Sequence, residues 1–107
     1  MGLYRLSHEA KMDLARIYWR GREEYTEEQA DRFYYAFFQR FEEIAETPFK
    51  YQAVDHIEQG YRRSVCGVDN IYYRLTGGIV KIMRVLGRQN LGEKLQPYRP
   101  VTALAPC

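Results

Sequence analysis

Apolar residues recur every three or four positions along the first half of the chain and alternate with polar ones along the second. Tyr4 to Leu6 reads as a short strand. Ser7 then stands where a helix N-cap would, with Glu9 in the first turn facing the positive end of the helix dipole. From there Ala10, Leu14, Ile17, Tyr18, Gly21 and Tyr25 form one helical face, which breaks near Gly21 or just after it. The other face carries Lys11, Asp13, Arg16 and Arg20 and is expected to be solvated. Thr26-Glu27-Glu28-Gln29 is a capping-box pattern: the Thr hydroxyl accepts from the amide three residues on, and the Gln side chain reaches back. In the second helix, Ala30, Phe33, Tyr34, Phe37, Phe38, Phe41, Ile44 and Ala45 keep the period. Thr47-Pro48 ends it, because the residue before proline avoids helical angles. Two amphipathic helices joined this closely make a helical hairpin.

Phe49 to Gly60 shows no period. Three β-rich runs follow, Tyr61 to Cys66, Ile71 to Thr76 and Ile79 to Leu86, separated by the turn candidates Gly67-Val68-Asp69-Asn70 and Gly77-Gly78. The order β-α-α-β-β-β predicts an α+β two-layer domain: an N-terminal strand, an α-helical hairpin, then a three-stranded antiparallel sheet. The domain is expected over residues 1–95. Residues 96–107, with three of the four prolines and no period, read as a C-terminal tail.

A length of 107 residues, 46% of them hydrophobic, suits one domain, and the ten Tyr and five Phe promise a ring-rich core or interface. No run approaches the roughly 18 apolar residues of a membrane span, and the start lacks the basic-then-apolar layout of a secretory signal. A cytoplasmic location is expected, with no membrane partner. Cys66 and Cys107 make neither a disulfide framework nor a metal spacing, and a structural disulfide is not expected. His8 and His56 are too isolated for a metal site, so neither a metal nor a cofactor is implied. Charge is divided along the chain: residues 1–60 hold 8 Lys and Arg against 12 Asp and Glu, a balance of −4, and residues 61–107 hold 8 against 2, a balance of +6. The sheet-forming half is thus suited to an anionic partner.

The stretches "YRLSHEAKMDLARIY", "EQADRFYYAFFQRFEEIAETP", "HIEQGYRRSVCG", "IYYRL" and "VKIMRVLGRQN", in that order and at these distances, resemble the ParE toxins of the RelE/ParE superfamily. The resemblance covers about residues 3–95. It implies a toxin of a bacterial type II toxin-antitoxin pair, folded as a two-layer domain and bound by a ParD-like antitoxin whose C-terminal segment wraps it. The usual target of that branch is DNA gyrase, whose cleaved-DNA intermediate the toxin traps, with no sequence-specific DNA binding of its own. Other branches are ribosome-dependent mRNA endoribonucleases (RelE-like), and a degraded toxin that only binds its antitoxin is a third alternative. After the last strand the chain reads Gly87-Arg88-Gln89-Asn90, similar to a branch with Gly-Arg-Gln-Asp, its final carboxylate replaced by an amide.

Residue chemistry bears on the choice. Cutting RNA through the ribose hydroxyl needs a base, an acid and cations. Cations abound, but the second half holds no His, and Asp69 and Glu93 are its only carboxylates. Tyr72 or Tyr73 could serve as an acid, though alternation puts only one of them on a face with the neighbours of Arg74. Trapping a protein-DNA intermediate needs only a complementary surface. The expected target-binding residues are Arg62, Arg63, Arg74 and Arg84 on the sheet and Arg88, Gln89 and Asn90 at the strand end, and no catalytic residue is assigned. Helix carboxylates such as Glu42, Glu43 or Glu46 are the competing partners of the sheet arginines. The antitoxin-binding candidates are Leu14, Tyr18, Trp19 and Phe37, meeting the apolar knobs of an amphipathic helix. Trp19 lies off the main apolar stripe, which suggests an interface role.

Overall fold

The computed structural model describes residues 2–87. Its elements run β1 (Tyr4–Leu6), α1 (His8–Glu24), α2 (Glu27–Glu46), β2 (Gln52–Ala53), β3 (Arg62–Cys66), β4 (Asp69–Thr76) and β5 (Ile79–Gly87). The strands form one mixed sheet in the order β1-β5-β4-β3-β2, with β1 parallel to β5 and every other pairing antiparallel. The α+β layering agrees with the sequence pattern, but the sheet has five strands. The added strand, β2, is two residues long, too short to display an alternation, and lies in the segment read as irregular.

Both N-cap hydroxyls bond as the sequence predicts. The Ser7 hydroxyl accepts from Ala10 N at 3.0 Å, and the Thr26 hydroxyl accepts from Gln29 N at 3.1 Å. Ser7 also joins the layers: its backbone N–H donates to Ile82 O at 2.9 Å and its hydroxyl donates to Met83 O at 2.8 Å. Where the helices meet, buried Gly21 lets α2 approach, since a Cβ there would stand 3.3 Å from the Ala30 Cβ. Between β4 and β5, Gly77 and Gly78 have φ of 58° and 81°, the left-handed pair that a two-residue hairpin turn requires. The earlier turn is shorter than expected. Asp69 and Asn70, turn formers by type, pair with Cys66 and Val65 in the ladder, because register overrides local preference there.

The core lies between the layers. Leu14, Phe37, Phe41 and Ile44 of the helices meet Ile71, Tyr73, Val80, Ile82 and Val85 of the sheet. A bulge keeps that face apolar: Tyr72 pairs with Arg84 and Tyr73 with Ile82, so Met83 is the extra residue on β5. Ile82 and Val85, three apart, can then both face inward. Cys66 is buried on β3 and disulfide-bonded, contrary to expectation, since separation along the sequence does not fix separation in space.

Candidate functional site

The sheet face turned away from the helices carries the cations. Directly opposite residues in a sheet share a face. The register places Arg5 beside Lys81 and Lys81 beside Arg74, a row of three cations across β1, β5 and β4. Two positions along β4, Arg84, Tyr72 and Arg63 form a second row, which Gln52 extends on β2. Like charges placed opposite one another across strands are unfavourable, so this arrangement is poised for an anion. Among the described residues Arg5, Arg74 and Lys81 form no ion pair. Among the described residues the only carboxylate on a strand is Asp69, which adjoins Asn70 and points to the other face by alternation.

Arg84 is held differently from the rest. Its Nε and Nη2 donate to both carboxylate oxygens of Asp13, at 2.8 and 3.1 Å. Asp13, only 5% exposed, also accepts from Val85 N at 2.9 Å, and Arg16 donates to Val85 O at 3.3 Å. α1 therefore caps the edge of β5 with side chains where β1 has stopped. Burial alone would raise the Asp13 carboxyl. The hydrogen bonds from Arg84 and Val85, with the Arg84 charge and the Arg16 hydrogen bond, outweigh burial and hold it below its usual value. Arg84 shifts upward, chiefly through its hydrogen bond to Asp13. Two expectations are corrected here: Asp13 is not on a wet face, and the carboxylate facing Arg84 is Asp13 rather than Glu42, Glu43 or Glu46.

The other predicted arginines separate by face. Arg62 neighbours Arg63 in sequence and so points the opposite way, toward the helical layer, where it donates to Tyr51 O at 2.6 Å and lies 5.0 Å over the Phe49 ring. Arg63 donates to Gln52 Oε1 at 3.2 Å. Arg74 is exposed. Arg88, Gln89 and Asn90 lie outside the described residues. Tyr73 is a core residue whose hydroxyl donates to Pro48 O at 2.5 Å, and burial pushes its pKa up to about 12. Tyr72 stands between Arg63 and Arg84 in register, 3% exposed, its hydroxyl without a hydrogen-bond partner among the described residues. Neither His8, at the start of α1, nor His56, in the loop after β2, lies on this face. Arg5 and Lys81 were the missed residues: Lys81 stands opposite Arg74 in the β4–β5 ladder, and only the parallel pairing of β1 with β5 brings Arg5 to the row.

A second surface lies on the helical hairpin. Tyr18, Trp19, Tyr34 and Tyr35 line a cleft of about 460 Å³ together with Ala15 and Asp31. The Tyr18 ring meets Trp19 and Tyr34 edge-on at 5.6 and 5.4 Å, and its hydroxyl donates to Asp31 Oδ1 at 2.7 Å. Trp19 is 57% exposed. Leu14 and Phe37, the other two antitoxin candidates, are each only 2% exposed and belong to the core.

Residues 4–92 match the family described as ParE toxin of type II toxin-antitoxin system, parDE. The chain belongs to the ParE toxin family. It is 37% identical over 83 residues to Toxin ParE1 of Caulobacter vibrioides, a match spanning 78% of this chain and 85% of that protein. Its fold is similar to a chain of a chromosomal ParDE toxin-antitoxin system from P. aeruginosa, with a TM-score of 0.71 at 16% identity, over 81% of this ParE toxin and 96% of that chain. Among the described residues, no helix of the toxin is long and apolar enough to cross a membrane, and no group of His, Cys, Asp or Glu could hold a metal ion.

Proposed function

We propose that this ParE toxin inhibits DNA gyrase in the cytoplasm by binding and trapping its cleaved-DNA complex, and that a ParD-like antitoxin neutralises it. The observation that carries this reading is the outer sheet face, where Arg5, Lys81 and Arg74 stand in one cross-strand row and Arg63 and Arg84 flank Tyr72 in the next. Guanidinium groups bind phosphate and carboxylate oxygens through paired hydrogen bonds, which makes such a face complementary to a DNA backbone or to an acidic protein surface. Binding alone accounts for the action, since a trapped intermediate blocks replication without a reaction catalysed by the toxin.

Arg84 contributes less free charge than its neighbours because Asp13 already neutralises it. Arg5, Arg74 and Lys81 are the leading contacts, with Arg63 beside them. Arg88, Gln89 and Asn90 lie outside the described residues and stay in the proposal as candidates from the sequence alone. Arg62 faces the other layer and acts as a structural residue.

Purified toxin added to gyrase and supercoiled plasmid should accumulate linear DNA. Supercoiling activity unchanged at any toxin dose would refute the gyrase reading. Tyr72 set between two arginines is the one feature of this face that suits a ribonuclease acid, so the rival is tested in parallel: mRNA recovered from arrested cells should be intact.

A further inference from the structure

The aromatic cleft of the hairpin differs chemically from a groove for apolar side chains. Of its lining residues Ala15, Tyr18, Trp19, Asp31, Tyr34 and Tyr35, four are rings that carry negative faces and the only charged one is a carboxylate. Asp31 is fixed in place, because Oδ1 accepts the Tyr18 hydroxyl at 2.7 Å. That bond also holds the Tyr18 phenol above its usual pKa. Among the described residues no cation pairs with Asp31: nearby Arg22 pairs with Glu27 at 3.4 Å, and Arg32 with Glu28 at 3.7 Å. The chain itself also demonstrates what these rings accept, since the Arg22 guanidinium lies 5.1 Å over the Trp19 ring.

Resting on the antitoxin reading above, we propose that this cleft receives an arginine side chain of the antitoxin, stacked on Trp19 and the tyrosines and hydrogen-bonded to Asp31. A planar guanidinium satisfies both halves of the site at once, whereas an ammonium is more strongly hydrated and an apolar side chain would leave the carboxylate without a cationic partner. Charge supports the assignment. The segment of the toxin that contains the hairpin, residues 1–60, carries a balance of −4 and the remainder +6, so an antitoxin lying over both must change sign along its length. Its basic residue belongs at the hairpin and its acidic residues at the sheet.

The test uses the toxin with the antitoxin of its own operon, co-expressed, separated and titrated back. Trp19 is the only tryptophan of the toxin and sits in the cleft, so the toxin's emission reports occupancy. Asp31→Asn keeps the shape and an acceptor for Tyr18 but removes the charge, and is expected to weaken antitoxin binding about 10-fold. Trp19→Leu should do the same. An antitoxin with citrulline in place of the arginine should lose a similar factor against native toxin and little further against Asp31→Asn. Binding by Asp31→Asn within twofold of native, with its thermal midpoint unchanged, would overturn the arginine assignment and leave the antitoxin reading intact. No binding by the native toxin would overturn both.

Discussion

Asp13 is the residue on which the most separate contacts converge. Replacing it with alanine strips Arg84 and Arg16 of their carboxylate and leaves the buried Val85 N–H without an acceptor, a loss of about 1–3 kcal/mol. Asp13→Asn retains an acceptor for that N–H and should lose about half as much, which chemical denaturation would measure. The pH dependence has a definite sign. With its folded-state pKa depressed, the carboxylate contributes fully above the unfolded-state value of about 3.9 and loses that contribution as pH falls through the lower folded-state value. The stability gap between the native toxin and Asp13→Asn should therefore narrow on acidification below about pH 4, and a constant gap would contradict the assignment. Asp13 was not legible in the sequence. The helical wheel puts it off the apolar stripe, and what buries it is that β1 ends at Leu6 while β5 runs on to Gly87, a fact about distant segments.

At the scale of elements, the course of the helices was legible, since Ser7, Thr26 and Thr47 act through bonds to residues three or four away and Pro48 restricts its immediate neighbour. The hairpin turn at Gly77-Gly78 was legible for the same reason. Gly78→Ala meets no neighbouring atom but is forced to a φ of 81°, and should lose about 1–2 kcal/mol in thermal or denaturant unfolding. The cationic rows were half legible. Alternation separates Arg62 from Arg63, but only the parallel pairing of β1 with β5 adds Arg5, and only the Met83 bulge sets Arg84 opposite Tyr72. Charge reversal distinguishes the two faces: Arg74→Glu should weaken gyrase inhibition by at least about 10-fold with the fold unchanged. Arg62→Glu is expected instead to lower stability through lost contacts with Tyr51 and Phe49. Equal loss of inhibition in both variants, at equal stability, would contradict the division by face.

Across the whole molecule, the two layers differ in charge and surface chemistry. The hairpin half is acidic and presents an aromatic cleft, while the sheet half is basic and presents two cationic rows. Separate surfaces allow target and antitoxin contacts to be perturbed independently: Asp31→Asn should weaken antitoxin binding yet leave gyrase inhibition intact. The family was legible because five stretches in register span residues 3–95; that sheet arginines meet the target is an expectation of the sequence, and the register adds which of them share a face for that proposed role. The most direct test of that role is the linear DNA formed when gyrase and supercoiled plasmid are titrated with native toxin and with a folded Arg5→Glu/Arg74→Glu variant. Linear product with the native toxin and its near-complete loss with the variant is the predicted result. Equal linearisation by both proteins would contradict the assignment of the cationic face to the target.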